Sequence, residues 1–348
     1  MAGRTFAPRK GNIMNQKKSS RGCLWAFVVI AALMVIAGAI ILLASFTIGR
    51  SDGFSIASRG MGVDEYPDMQ EVWSYGGGET KVVRIPLKGF IQLQEEQDFF
   101  GPVPSSSQLA LMSIRRATHD DDVMAIIVDI DSGGGGITAS DIIYKALLDF
   151  KSVKPGRMVI AVYGDVAASG AYYVSLAADY IIAHPTTITG SIGVLMQTLN
   201  IRGLGEKIGV TDVTIKSGRN KDLMNPLQDV SPEQREMLQG IVDDLHSRFV
   251  DLVIENRDLP ATQVKKIADG RILTSQEAVD LGLIDEVGYW EDVLDRTSEL
   301  LRVDDIRVVR YEQEFSLSAF LSSRVRFNPA ADIMRFTGRP RLLYRWQL

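Results

Sequence analysis

An unbroken apolar run near the N-terminus divides the chain and limits what it can fold into. Residues 22–49 contain no charged side chain and are almost wholly apolar from position 24 to position 46. About 20 such residues in a helix cross the ~30 Å of hydrocarbon in a bilayer. A cleavable signal peptide is the competing interpretation, but its apolar region is usually about 7–15 residues long. We therefore expect residues 22–49 to form a transmembrane helix.

Charge is distributed unevenly along the chain. The 348 residues carry a net charge of −5, but residues 1–50 hold seven basic side chains and no acidic one, so residues 51–348 carry −12. Six of the basic residues precede the apolar run, and the positive-inside rule then places residues 1–21 in the cytoplasm and exports the rest. Cys23 lies at the cytoplasmic edge, where it is either lipidated or a bystander. The strongly negative charge of residues 51–348 argues against a nucleic-acid partner.

Composition excludes several kinds of site. The single cysteine rules out an internal disulfide framework and any cysteine-based zinc cluster. Three histidines leave little material for a histidine-rich metal centre. We therefore expect no metal ion and no cofactor.

Beyond the apolar run, short apolar stretches alternate with helical patterns. Residues 50–79 are polar and rich in glycine, and we interpret them as a tether. Apolar and β-branched stretches predict strands at residues 80–85, 123–130, 157–163, 180–183, 191–195 and 211–216. Helical spacing and a Ser-Pro cap predict helices at residues 107–118, 138–150, 168–178 and 231–256. This alternation indicates a single α/β domain over residues 80–310.

The final stretch is basic and forms a C-terminal extension at residues 311–348. Residues 324–348 carry six arginines and one acidic residue, Asp332. Such charge suits an anionic lipid surface or a neighbouring subunit. The interpretation that we favour is a solvated tail with an ordered end at residues 342–346.

Four consecutive glycines follow the strand predicted at residues 123–130. They occupy positions 133–136, directly before a predicted helix. Bare backbone N–H groups at a helix N-terminus bind an anion, either a phosphate or a transient oxyanion. The spacing does not fit a dinucleotide fingerprint or a Walker loop. On their own, the glycines are equally consistent with a plain tight turn.

Ser169 is the candidate nucleophile. It lies among small residues where a predicted strand ends and a helix begins. Small neighbours let a substrate backbone approach closely, and a helix N-terminus stabilises negative charge. The alternative is that Ser169 merely caps the helix, which serines often do.

A serine nucleophile needs a base, and the sequence offers two kinds. The histidines are candidates, although none comes with an obvious orienting carboxylate: His119, His184 and His246. Lys221, in the segment KSGRNKD at residues 216–222, is the better candidate. A lysine acts as a base only if burial lowers the pKa of its amine from about 10.4 towards 7, which requires a dry and well-packed site.

Four motifs in fixed order decide among these interpretations. They are GDVAASGAYYVSLAAD at 164–179, TGSIGV at 189–194, SGRNKD at 217–222 and ADGRILTSQEAVDLGLIDEVG at 268–288. Together they resemble the signal peptide peptidase A family, peptidase family S49. The resemblance covers roughly residues 80–300 and implies a membrane-anchored Ser–Lys protease with a crotonase/ClpP-like fold. The chain lacks a tandem second copy and so resembles the short form, whose members assemble as octamers with active sites shared between protomers.

The resemblance implies a role for each matching residue. Ser169 matches the family nucleophile and Lys221 the general base, while Ser191 of TGSIGV matches the hydroxyl that holds the lysine in place. The glycine turn matches the family's S-P-G-G-G, which implies an oxyanion donor at Gly135, and Gly170 follows the nucleophile as the second donor. The neighbouring turn glycines are expected to contact substrate: Gly134 and Gly136. The sequence departs from the family pattern where it has Gly133 for proline and Ala171 for glycine.

The sequence thus predicts a serine endopeptidase of the plasma (inner) membrane with its catalytic domain outside the cytoplasm. Its expected substrates are cleaved signal peptides and other exposed apolar segments, and its expected partners are the membrane and further copies of itself, with the family's octamer as the reference. Two alternatives stay open. An acyl-CoA hydratase or isomerase of the same superfold would need acidic catalytic residues and a CoA pocket. A non-catalytic scaffold is opposed by the retained Ser169, Ser191 and Lys221.

Overall fold

Strands and helices alternate along the part of the chain that the structure describes. The computed structural model covers residues 69–98, 101–313 and 341–345. The helices are α1 (Ser106–Thr118), α2 (Ile137–Val153), α3 (Gly170–Ser175), α4 (Arg202–Ile208), α5 (Pro232–Arg257), α6 (Ala261–Ile267), α7 (Ser275–Asp280) and α8 (Trp290–Leu301). The strands are β1 (Met69–Tyr75), β2 (Thr80–Lys88), β3 (Glu96–Asp98), β4 (Gly101–Val103), β5 (Val123–Ser132), β6 (Gly134–Gly136), β7 (Met158–Ala168), β8 (Tyr180–Ala183), β9 (Ile188–Gly190), β10 (Leu195–Gln197), β11 (Ile272–Thr274), β12 (Glu286–Val287), β13 (Ile306–Gln313) and β14 (Arg341–Arg345).

The predicted transmembrane helix at residues 22–49 and the basic segment at residues 1–21 lie outside the described residues. Within the ranges given above, every helix is either too short or too polar to span a bilayer.

Nine of the described strands form one mixed sheet. Its order is β1-β13-β2-β5-β7-β8-β12, with β9 and β11 attached beside the end of β7. All neighbours from β13 to β12 run parallel, and β1 is antiparallel to β13. The sequence of β5, VMAIIVDIDS, is buried along most of its length, as a central parallel strand requires. The α/β class predicted from the sequence is confirmed.

Helices pack on both faces of this sheet, because consecutive strand residues point to opposite sides. Ile126 of β5 belongs to the larger apolar cluster, together with Ile114 of α1 and Leu147 of α2. Its neighbour Ile127 belongs to a second cluster, together with Val293 of α8. The sheet therefore lies between two apolar layers. The candidate site residues follow the carboxyl ends of its central strands.

Two of the predicted strands are wrong in whole or in part. Residues 191–194 lie between β9 and β10 and belong to neither strand. Residues 211–216 form no strand, although β-branched Val213 and Ile215 alternate with polar residues. These two side chains are 84% and 98% exposed, and no described strand pairs with the segment. Alternation alone was misleading here, because a strand also needs a neighbour to accept its backbone hydrogen bonds.

The sheets extend beyond the segment predicted as the folded domain. Strand β1 lies inside the predicted tether at residues 50–79 and forms an edge of the main sheet, where Met69 is buried. Strand β14, inside the predicted C-terminal extension, lies between β10 and β6 in a separate three-stranded sheet. Neither pairing has a local signature in the sequence.

Candidate active site

Ser169 lies at a sharp turn between β7 and α3. Its backbone angles are φ 54° and ψ −116°, a conformation that costs a residue other than glycine about 1–3 kcal/mol. The turn is held at both ends, because Ser169 N–H donates to Gly190 O and Tyr173 N–H donates to Ser169 O, each at 2.8 Å. The side chain makes no capping hydrogen bond, although the residue is only 1% exposed. Ser169 is therefore no ordinary helix cap, and its strained strand-to-helix turn is the kind that presents a nucleophile.

Ser191 lies next to this turn on the neighbouring strand. Strand β9 runs parallel to the end of β7 with Gly190 opposite Ala168, so that Ser191 and Ser169 leave adjacent strands at the same level. Ser191 also has a positive φ, 52°, and its N–H donates to Arg271 O at 2.7 Å. The fold thus brings two serines that are 22 positions apart to one edge of the sheet.

The glycine turn forms the short strand β6. Ile91 N–H donates to Gly134 O at 3.0 Å, and Gly136 N–H donates to Ile91 O at 2.8 Å. Because alternate residues of a strand direct their N–H and C=O groups to opposite sides, those of Gly135 point away from Ile91 and towards β14. Tyr344 of β14 is the residue opposite Gly135. Of the three β6 residues, Gly135 is therefore the one whose N–H faces β14, the strand that lies between β6 and β10.

Gly170 provides a second backbone donor next to Ser169. It is the first residue of α3, and its N–H has no acceptor within the described residues. Helix α3 packs against β6, so that the helix that begins at Gly170 and the glycine strand are neighbours in the fold. Backbone amides in such positions stabilise the oxyanion of a tetrahedral intermediate.

Gly135→Ala is expected to disrupt this arrangement. An alanine Cβ would clash with the carbonyl oxygen of Ile91 and lie 2.6 Å from Ile91 N, both of which are backbone atoms that cannot rotate away. We expect the free energy of unfolding in urea to fall by about 1–3 kcal/mol, as overpacking usually costs. Gly136→Ala is the matched control, since its Cβ would lie 3.7 Å from Ile91 O, an ordinary van der Waals distance, and should destabilise the fold less than Gly135→Ala. Equal stability of the two variants would contradict the described backbone contact.

A hydrogen-bonded cluster joins α3, the helix that follows the nucleophile, to α2 and α5. Tyr173 OH donates to Asp141 Oδ1 of α2 at 2.6 Å, and Arg248 of α5 donates to the same oxygen at 2.6 Å and to the tyrosine oxygen at 3.2 Å. Tyr172 OH donates to Leu283 O at 2.9 Å, and both tyrosine rings are fully buried. These positioning residues were missed in the sequence analysis, where the only signal was the Tyr-Tyr pair inside the nucleophile motif.

The Asp141 cluster predicts a pH dependence of stability. Burial acts to raise the pKa of Asp141, but the hydrogen bonds from Arg248 and Tyr173 outweigh it and hold this pKa below its usual range. Because the folded pKa is lower than the unfolded one, the cluster stabilises the fold above about pH 4, and the gain is lost as pH falls through the folded pKa. The partly exposed pair is expected to contribute about 0.5–1 kcal/mol after solvent screening.

Asp141→Asn tests this pH dependence, because the amide oxygen still accepts the Tyr173 hydrogen bond. Unfolding in urea should show the parent chain more stable than the variant at pH 7, with the difference shrinking at acidic pH as Asp141 of the parent becomes protonated. A difference of equal size at both pH values would contradict the assignment.

Lys221 lies on the surface of the single chain. It belongs to an irregular segment that precedes α5, and its side chain is exposed. Within the described residues, Lys221 Nζ makes no hydrogen bond or ion pair, and so forms no hydrogen bond with Ser169 or Ser191 of its own chain. Its neighbour Lys216 is paired instead, with Nζ 2.7 Å from Asp222 Oδ1. Assignment of Lys221 as the base therefore stays a prediction.

The histidines do not supply a base to Ser169 in the described part of the chain. His119 ends α1, and His184 Nδ1 is 2.8 Å from Thr186 Oγ1. His246 of α5 lines a cavity of about 470 Å³ together with Ser191, and its Nε2 is buried without a hydrogen-bond partner among the described residues. Within those residues, none of the three histidines forms a hydrogen bond with the Ser169 hydroxyl.

Exposed apolar side chains precede Lys221 in the sequence. We call them the apolar strip, and their exposed fractions range from 48% to 98%: Leu204, Ile208, Val210, Val213 and Ile215. Single exposed apolar residues are normal, whereas five within twelve positions are unusual and need an explanation.

Comparison with known proteins assigns the chain to a family. The sequence profile of peptidase family S49 matches residues 150–304. A putative signal peptide peptidase SppA of Enterococcus faecium is 34% identical over 258 residues, which cover 74% of each chain. A putative protease of Methanocaldococcus jannaschii is 37% identical over 71% of this chain and 78% of its own length. Protease 4 of Salmonella typhi is 32% identical over 58% of this chain and 32% of its own length. Among solved structures, a ClpP1 mutant from Listeria monocytogenes is 18% identical, with a TM-score of 0.39 over 60% of this chain and 92% of that chain.

Proposed function

Because the chain belongs to peptidase family S49, the signal peptide peptidase A family, and is a serine peptidase, we propose that Ser169 and Lys221 form its catalytic dyad. The observation that carries the proposal is the Ser169 turn. A buried serine is held at φ 54° between β7 and α3, and its hydroxyl is not used as a helix cap. The N–H of Gly170, the next residue, has no acceptor within the described residues. Strain of this kind persists only where the surroundings impose it, and it concentrates at functional sites.

The base is proposed to come from a second copy of the chain. Lys221 is exposed and has no hydrogen-bond or ion-pair partner among the described residues of its own chain, whereas a lysine base must be neutral and shielded from water. The apolar strip leads directly to Lys221 and would be covered by a neighbouring protomer in a homo-oligomer. Docking of the strip would deliver Lys221 of one protomer to Ser169 and Ser191 of the next, and would exclude water from the amine.

The residues then have distinct roles in peptide hydrolysis. Ser169 Oγ attacks the peptide carbonyl carbon while neutral Lys221 accepts the hydroxyl proton. The N–H groups of Gly135 and Gly170 bind the resulting oxyanion. Lys221 then gives its proton to the leaving amine, and the C–N bond breaks to leave an acyl-enzyme on Ser169. Water, deprotonated by Lys221, attacks this ester. The C–Oγ bond breaks to release the second product, and Lys221 returns the proton to Ser169 Oγ. Ser191 is proposed to orient the lysine amine.

The substrates are proposed to be cleaved signal peptides and other exposed apolar segments. This assignment rests on the family and on the edge of β6 at Gly135, which pairs with an extended backbone, that of β14, in this structure. We further propose that residues 22–49 anchor the enzyme in the plasma membrane with the catalytic domain outside the cytoplasm, where signal peptides are released.

A fluorophosphonate probe tests the nucleophile directly. We expect mass spectrometry of the labelled full-length protein to find one modified residue, Ser169, and no label in Ser169→Ala. Labelling should also be strongly slowed in Lys221→Ala, since a serine without its base is a poor nucleophile. Labelling of a different serine, or an unchanged rate in Lys221→Ala, would contradict the proposed dyad.

A further inference from the structure

A cavity of about 470 Å³ lies beside the candidate nucleophile. Ser191 lines it, together with residues of the segment after β9, of α5 and of the turn after α6. Ser191 and Ser169 leave adjacent strands at the same level. A peptide bound with its carbonyl carbon at Ser169 Oγ therefore has this cavity beside it. A side chain next to the scissile bond is the group that the cavity can receive.

The lining of the cavity is partly apolar and partly charged. Its apolar side chains include Val194, Leu195 and Val242, whereas Asp243 and Asp269 bring carboxylates. A lysine or arginine side chain combines an apolar stem with a cationic end, so that it matches a mixed lining of this kind.

The two carboxylates of the cavity differ in their partners. Asp269 is paired with Arg271, whose Nη2 lies 2.7 Å from Asp269 Oδ2 and whose Nε donates to Asp269 Oδ1 at 2.8 Å. Asp243 has no ion-pair partner among the described residues. Gln239 Nε2, one helical turn away, donates to Asp243 Oδ1 at 2.8 Å and so orients this carboxylate. Asp243 therefore brings to the cavity a negative charge that is not paired with a cation within those residues.

We propose that this cavity selects a lysine or arginine side chain next to the scissile bond, and that Asp243 is the residue that determines this specificity. The inference rests on the proposed function in taking Ser169 as the nucleophile. The stem of the substrate side chain would pack on Val242, and its cationic end would form a charge-assisted hydrogen bond with the Asp243 carboxylate. Signal peptides have a basic segment directly before their apolar region. Cleavage is therefore expected at the boundary between the two.

Peptides that differ in one charge test this specificity. They carry lysine or norleucine next to the scissile bond, which mass spectrometry of the products locates, and norleucine has the apolar stem without the ammonium group. We expect the full-length parent to show a kcat/KM about fivefold higher for the lysine peptide, as an ion pair with a largely exposed carboxylate can provide. This ratio should fall to about one in Asp243→Asn, and Asp243→Lys should prefer a glutamate peptide to the lysine peptide.

Asp244→Asn is the matched control for the loss of this charge. Asp244 is the next residue of α5, is also exposed and does not line the cavity. Its variant should keep the fivefold preference for lysine. An equal loss of preference in the Asp243 and Asp244 variants would overturn the inference, since it would show a general effect of charge.

A binding measurement separates this inference from the proposed function. In Ser169→Ala, fluorescence anisotropy should show the labelled lysine peptide bound about fivefold more tightly than the norleucine peptide. The difference should disappear in the Ser169→Ala, Asp243→Asn double variant. This readout needs no catalysis, so the result would stand even if Ser169 were not the nucleophile. Equal binding of the two peptides to Ser169→Ala, or an unchanged difference in the double variant, would overturn the inference.

Discussion

Lys221→Ala is expected to lower kcat/KM for peptide hydrolysis by at least about 10⁴-fold, because residues that act as a catalytic unit fail together when one is removed. The protein should still fold and assemble, since Lys221 has no side-chain partner within the described residues of its own chain. Measurement of kcat/KM with a fluorogenic peptide, together with the sedimentation profile of the variant, checks both parts of this expectation.

Lys207→Ala is the matched control for this loss. Lys207 is an exposed lysine of α4, fourteen positions before Lys221, and its removal takes the same charge from the same region. We expect its activity to stay within about twofold of the parent, since exposed charges contribute little. Comparable losses in the two lysine variants would point to a general charge effect and contradict a specific role for Lys221.

Ile215→Asp is expected to dissociate the oligomer and to abolish activity with it. Ile215 is 98% exposed in the single chain and lies in the apolar strip, six positions before Lys221. A carboxylate buried at a subunit interface without a partner costs several kcal/mol, which is enough to shift the equilibrium towards monomers. Sedimentation velocity should show the smaller species, and peptidase activity should fall in proportion to the oligomer lost.

Val153→Asp is the control for this effect. Val153 is also an exposed β-branched residue, 57% accessible at the end of α2, but it lies outside the apolar strip. Its variant should sediment as the parent does. A monomeric Ile215→Asp protein with full activity would show that the dyad forms within one chain.

Sequence patterns located the elements that depend on local signals. The helix predicted at residues 231–256 is observed as α5, whose capping box joins Ser231 and Gln234. The apolar stretch at residues 123–130 is observed inside β5, because a strand buried on both faces needs apolar residues throughout. The motif around Ser169 was likewise correctly placed between a strand and a helix.

Features that depend on distant contacts could not be predicted. The strain at Ser169 is imposed by Gly190 and by the first turn of α3, and serine itself has no preference for φ 54°. Pairing of β14 with β6 joins segments about 200 positions apart, and no local pattern specifies such a partner. The exposed alternation at residues 211–216 looked like a strand because the sequence does not show whether a neighbour is present.

Complementation between two inactive variants tests the shared active site most directly. Ser169→Ala and Lys221→Ala chains, coexpressed in equal amounts and purified as mixed oligomers, should regain about one quarter of the parent activity, since a random interface pairs an intact serine with an intact lysine that often. Each variant alone should stay inactive. No single chain in the mixture carries both groups, so that any regained activity must come from a site shared between two chains. A mixed oligomer as inactive as either variant would contradict the account.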